Sequence, residues 1–241
     1  MTPTAPQIGF DRFIRIEWVA AALKVRAGLA SLDDLDGPLD AAALGKEARS
    51  KTRTKLNALG LAPRPDLADF IDRGVNIFKN SASADEIAPF AWGAAIATYP
   101  YFAKIAEFTG RLTSIQGDCA VSELHRRMSE RYGDREVTKR ATQAVLQTQA
   151  NWGAIQRIEN GKRLVRLEPR LLNCEDVVAW VLEAALRYHG KAMPLATLQS
   201  MAVIYPFAID ASPAFIAANS RNLELRSEGA NQQFVGLRDV I

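Results

Sequence analysis

Cysteine is scarce. Cys119 and Cys174 are the only two in 241 residues, far apart and outside any metal-type spacing, so neither a disulfide framework nor a cysteine-built metal site is expected. The opening MTPTAPQIG has neither the basic flank nor the long apolar core of a secretory leader, and a reducing cytoplasmic setting is the expectation. Long hydrophobic runs are also missing. The most apolar stretch, IAPFAWGAAIATYPYFA from Ile87 to Ala103, carries no charge, but Pro89 and Pro100 bracket it. It falls short of the roughly 20 residues a membrane span needs, so it reads as a buried central helix.

The usual motifs of catalysis are missing as well. There is no glycine-rich phosphate loop, no His-Glu-x-x-His and no paired-cysteine motif. His125 falls on a helix before a turn and His189 at a helix end, where a lone histidine is read as structural. Asp33, Asp34 and Asp36 form an acidic cluster, taken as a capped acidic turn in preference to a Mg²⁺ site. The expectation is therefore a non-enzymatic protein without cofactor or metal. A nuclease built from scattered carboxylates is the enzymatic alternative.

What is present is a mildly basic, ordinarily globular composition, rich in Ala, Leu and Arg and poor in Val/Ile/Thr runs, which favours helix. The formal charge is only +3, yet it is localised. Residues 45–55 (GKEARSKTRTK) hold five basic and one acidic residue, and residues 111–170 hold twelve basic and seven acidic, net charges of +4 and +5. The rest of the chain is thus net acidic. Clustered positive charge suits a phosphate-binding surface better than dispersed charge does.

Hydrophobic periodicity predicts a helix over Phe10–Leu29, left through the acidic SLDDLDGP turn. A second helix is expected from near Pro38 to Gly60, and a third over Asp66–Phe78 with Leu67, Phe70, Ile71 and Phe78 on one side. Residues 80–85 form a polar loop, with Ser83 or Asp85 as cap for the apolar helix after it. Val121–Tyr132 reads as a short helix with Val121, Leu124, Met128 and Tyr132 inward. After the Gly133-Asp134 turn, Val137, Ala141, Ala144, Val145, Thr148 and Trp152 recur at helical spacing. Lys139, Arg140, Gln143 and Gln147 occupy the opposite face, with Leu146 close to it. Asn160-Gly161, the preferred pair for a two-residue type I′ turn, predicts a hairpin over 155–167. The four tryptophans, Trp18, Trp92, Trp152 and Trp180, all lie in apolar patterns and are expected in the core. The last third repeats the order of parts: a helix over Asp176–His189, a short one over Pro194–Met201, another opened by Ser212-Pro213, then strands Leu223–Arg226 and Phe234–Arg238 joined by a loop with Gly229 and Asn231.

This order is expected to give a mainly α protein: a helical domain over 1–80, a second domain over 81–170 and a third over 171–241. The middle segment, carried by GDREVTKRATQAVLQTQANWGAI and the following ENGK, resembles a winged helix-turn-helix domain. That resemblance implies a small β-hairpin wing and binding to double-stranded DNA, the second helix of the pair entering the major groove and the wing touching phosphates. Carried over, it makes Arg135, Thr138, Lys139, Arg140, Thr142 and Gln143 the residues facing bases or phosphates, and Arg157, Lys162, Arg163 and Arg166 the wing contacts. The types fit: Arg pairs with guanine, Gln with adenine, and Lys supplies a point charge to phosphate. The C-terminal segment looks like a more divergent copy. Its candidate recognition helix, Ser212–Asn219, is short and nearly uncharged, so a structural or homodimerising role is expected there.

A looser similarity, through the Ser-Lys-Thr-Arg stretch and YPYFAKIAEF, is to BrxA-type phage-defence DNA-binding proteins, which implies a regulatory or accessory role. Arg49, Lys51, Arg53 and Lys55 lie in a helix whose successive side chains are about 100° apart, so they cannot form one flat face and read as a solvated stretch or one lying along a DNA backbone. Against DNA binding stands a different class of function: winged-helix modules that dock only partner proteins.

Overall fold

The computed structural model of the chain describes residues 6–80, 86–228 and 232–238. The loop over 81–85 with its proposed caps Ser83 and Asp85, and the Gly229 and Asn231 loop, lie outside the described residues. The protein is mainly helical, with eleven α-helices and three small sheets among them.

Its first part holds α1 (Ile16–Arg26), α2 (Leu32–Ala41), α3 (Lys46–Leu56) and α4 (Pro65–Asn80). Three expectations are corrected here. The acidic SLDDLDGP is not an exit turn but the body of α2. Ser31 donates from its backbone N–H to the Asp34 carboxylate at 2.7 Å, which starts the helix, and Pro38 sits inside it. The single helix expected from Pro38 to Gly60 is divided, because Ala43 turns the chain at φ 50° and α3 begins afresh after Gly45. The first helix is also shorter than its apolar pattern. Phe10 and Ile14 are buried but lie in an extended lead-in to α1.

The apolar stretch likewise forms two helices, α5 (Ile87–Thr98) and α6 (Pro100–Thr113). Proline restricts the residue before it to extended backbone and favours the first helical position, so Tyr99 (φ −123°, ψ 95°) ends one helix and Pro100 opens the next. No helix among the described residues is long and apolar enough to cross a membrane.

Two helices and three strands complete the middle of the chain. Strand β1 (Asp118–Ala120) precedes α7 (Val121–Tyr132) and α8 (Glu136–Asn151), and β2 (Ile155–Ile158) and β3 (Arg163–Arg166) follow. All strands pair antiparallel in the order β1-β3-β2. Strand β4 (Arg170–Leu172) leads into α9 (Glu175–His189), β5 (Met193–Pro194), α10 (Leu195–Gln199), β6 (Phe207–Ile209), α11 (Pro213–Asn219), β7 (Leu223–Glu228) and β8 (Gln232–Leu237). Here β4 pairs parallel with β6, and the other strands form an antiparallel sheet ordered β5-β8-β7. Helix, strand, helix, helix, hairpin thus occurs twice with the same strand order, although the second unit inserts β6 between its last two helices and the helix before the hairpin has 16 residues in one unit and 7 in the other.

The buried apolar side chains of all three sequence segments form one continuous cluster. Tryptophans tie it together. Trp180 of α9 lies stacked on Phe70 of α4, centroids 4.6 Å apart, and donates to the Phe70 carbonyl at 2.9 Å. It is admitted by Gly74 and Gly93, where an added Cβ would fall 2.6 Å and 2.3 Å from the indole. Trp92 of α5 donates to the Val203 carbonyl at 2.9 Å, and Trp152, after α8, to the Ile14 carbonyl at 3.0 Å. Trp18 is buried like the others. The indole N–H groups of Trp92, Trp152 and Trp180 thus keep partners while their rings join distant segments.

Candidate nucleic-acid interface

Helix α7 is amphipathic, with Val121, Leu124, Met128 and Tyr132 buried. Its exposed basic residues are largely satisfied within the helix. Glu123 accepts from both Arg126 and Arg127, which holds its carboxyl down at about 2, and Arg126 also pairs with Glu130. Gly133 ends the helix at φ 87°, a conformation that favours glycine, and lets the chain reverse within three residues into α8. Arg135 heads α8 and donates from Nη2 to the Tyr132 carbonyl at 2.9 Å, so it latches the turn while its side chain stays at the surface.

The seat of α8 differs from the expected one. Thr138 and Thr142, expected to face nucleic acid, are 1% and 0% exposed. The cause is Tyr101 of α6: its hydroxyl donates to the Thr138 carbonyl at 2.9 Å and lies 2.9 Å from the Thr142 hydroxyl, which itself donates to the Thr138 carbonyl. Burial pushes the Tyr101 phenol up to about 12, so it keeps its proton for that bond. Leu146 is buried, and Val137, expected inward, is 47% exposed. The outward face of α8 is thus Glu136, Val137, Lys139, Arg140, Gln143 and Gln147. Lys139 pairs with Asp134 at 3.3 Å and Arg140 with Glu136 at 2.9 Å. Such exposed pairs contribute little, and a phosphate can replace the carboxylate.

Gln143 is the most constrained polar residue on this face. Its Oε1 accepts from Arg157 Nη2 at 2.9 Å, which turns its amide nitrogen toward His125 Nε2, also at 2.9 Å. A carboxamide oriented this way donates to the imidazole, so His125 is neutral, with its proton on Nδ1. Burial, and secondarily the Lys139 charge, lowers the His125 pKa below its ordinary value. α7, α8 and β2 are thereby linked by a chain of three side chains. The sequence treats His125 as merely structural; only its alignment with Gln143 on the facing helix signals this role.

The hairpin is wider than a two-residue turn. Ile158 pairs with Arg163, leaving Glu159–Lys162 as the connection, with Glu159, Asn160 and Gly161 at φ 51°, 54° and 80°. The third strand explains it. β1 pairs Ala120 with Arg163, and the Val121 N–H donates to the Lys162 carbonyl at 2.9 Å, so the end of the hairpin is fixed from the far side. Lys162 is exposed at the tip. Arg163 pairs with Asp118 of β1 and, at 3.8 Å, with Glu159. Arg166 faces elsewhere: its Nη2 donates to the Tyr205 carbonyl at 2.6 Å and its guanidinium lies over the Tyr205 ring.

The structure brings Lys139, Arg140 and Gln143 together on α8, and Arg157 reaches them from β2. The second basic stretch is distinct. Arg49 pairs with Asp36 and Asp40, Arg53 with Asp36 at 2.6 Å, Lys51 with Glu47, and Lys55 with Asp11 at 3.1 Å. Asp34 and Asp36 of the acidic cluster are thus occupied by the start of α2 and by these arginines. A comparison with known proteins finds no match, whether among family models, curated proteins or solved structures.

Proposed function

We propose that this chain is a non-enzymatic protein that binds double-stranded DNA as a winged helix-turn-helix does, with α8 in the major groove and the β2–β3 connection along the flanking backbone. One observation carries the reading. The order α6, β1, α7, tight turn, α8, hairpin buries one side of α8 and leaves Lys139, Arg140, Gln143 and Gln147 outward, with Lys162 at the hairpin tip. Thr138 and Thr142 are withdrawn into the core and Gln143 is held by His125 and Arg157, so few groups are free to read base edges. Binding is therefore dominated by phosphate contacts and selects weakly among sequences.

The C-terminal unit supports a different use. Its α11 has no charged residue and leaves Phe215 55% exposed, which favours docking of a protein, a second copy included. A gel shift with random duplex at low salt, set beside a light-scattering mass, separates the two. A shift supports DNA binding; a monomer giving no shift defeats it in favour of a docking scaffold.

A further inference from the structure

A cleft of about 830 Å³ opens where α6, the end of α7, β3 and the end of α9 meet the segment Gln199–Tyr205. Of the residues considered for DNA, Arg166 alone lines it. Its walls carry Lys104 and Arg111 from α6, Arg131 from α7 and Arg166 from β3, against the single carboxylate of Glu107. Four cations less one carboxylate leave a formal +3 from Lys, Arg and Glu.

Glu107 is fully engaged. It is buried, pairs with Lys104 and Arg111, and accepts from the Tyr188 hydroxyl. Burial alone raises its pKa, but those partners outweigh burial and leave it below the ordinary carboxylate value. It therefore balances part of the charge of Lys104 and Arg111 and none of the other two. Arg131 acts electrostatically on the Tyr132 phenol, and Arg166 is held by the Tyr205 carbonyl with its Nε buried and without a partner; neither meets a carboxylate among the described residues. Cations converging on a concave, partly apolar wall focus a positive potential into it. Met193, Ile204 and Phe207 line the same cleft and give room for an organic body. The volume is that of a small-molecule site and far exceeds a bare inorganic ion.

We propose that this cleft binds a small phosphorylated organic anion, with the shared chemistry of a nucleoside phosphate or a sugar phosphate. A compact group of two or more negative charges matches the surplus, and guanidinium forks engage phosphate oxygens in pairs. The site adjoins the support of α8. Tyr132, in the cleft wall, packs edge-on against Tyr101 at 4.7 Å, and its carbonyl holds Arg135. An occupant thus bears on two of the contacts that seat α8; this coupling rests on the DNA-binding reading, while ligand binding does not.

Isothermal titration of the full chain with ATP, AMP, glucose 6-phosphate and inorganic phosphate tests the site without any DNA present. At least one organic phosphate is expected to bind saturably, one per chain, with a Kd below about 1 mM. Arg131→Glu, a surface change, is expected to weaken it at least about tenfold with an unchanged melting temperature. Lys139→Ala with Arg140→Ala is expected to leave it unaltered. The site is overturned if no organic phosphate binds saturably, if Arg131→Glu and Arg166→Gln both bind as the parent does, or if inorganic phosphate binds as tightly as the organic probes. A chain that binds these probes but no duplex refutes the DNA-binding reading and leaves the site standing.

Discussion

Residues 45–55 and 111–170 carry similar net charges, +4 and +5, but their carboxylate partners lie in different places. Around α3, every cation of the Arg49, Lys51, Arg53 and Lys55 set has a carboxylate, three of the four supplied by residues outside the stretch: Asp36, Asp40 and Asp11. In the second region Arg131, Arg135, Arg157, Lys162 and Arg166 enter no ion pair among the described residues, and Lys139 and Arg140 hold only exposed partners. A window's net charge therefore does not locate a phosphate-binding surface. What decides is whether the acidic remainder of the chain folds back onto that window, as α2 does onto α3.

Both regions rest on one core, so the largest expected effect strikes them together. Trp180→Ala empties the site between Phe70, Gly74 and Gly93 and is expected to lower stability by about 3–5 kcal/mol in chemical denaturation. The folded fraction should keep the salt dependence of the parent, which separates a loss of fold from a loss of charge.

Next comes the contrast itself. Replacing Lys139, Arg140, Lys162 and Arg163 by Ala is expected to reduce duplex affinity at low salt about a hundredfold by fluorescence anisotropy. The matching replacement of Arg49, Lys51, Arg53 and Lys55 should change it less than about threefold, since Arg49, Arg53 and Lys55 are already paired across the fold with Asp36, Asp40 and Asp11. Equal losses would erase the distinction between the regions.

Two smaller effects sharpen the account of α8. His125 has a folded pKa below its ordinary value, so as pH falls the unfolded chain takes the proton first. Its contribution to stability is complete above about pH 6.5 and declines as pH drops toward the folded value. Melting curves between about pH 5 and 8 should show this decline in the parent and a flatter profile in His125→Gln. Tyr101→Phe removes the hydroxyl that holds Thr138 and Thr142, and a loss of about 0.5–1.5 kcal/mol is expected on thermal unfolding. No loss would mean that the Tyr101 hydroxyl contributes nothing to seating α8.

How much of this was readable from the residues follows the range of the interactions. The bounds and buried face of α7, the Gly133 turn and the burial of the four tryptophans are set by local periodicity, and the structure has them as the pattern predicts. The burial of Thr138 and Thr142 depends on Tyr101, about 40 residues earlier, and no local pattern carries that. β1 is three residues long and hidden in a glycine-containing break, yet it widens the Asn160-Gly161 turn by pairing with β3. Arg166 reads as one more basic wing residue, and only the fold reveals that Tyr205 draws it into the cleft. Likewise the SKTRTK stretch reads as basic until α2 supplies its acids.

The central claim is that phosphate contacts from α8 and the hairpin dominate binding. Its most direct test is the slope of log affinity for a random duplex against log salt, measured for the parent and for the Lys139, Arg140, Lys162 and Arg163 to Ala variant. A steep slope that flattens by about 3–4 in the variant is predicted, close to 0.9 per lost phosphate contact. A parent that binds without salt dependence, or a variant with the parent's slope, would contradict it.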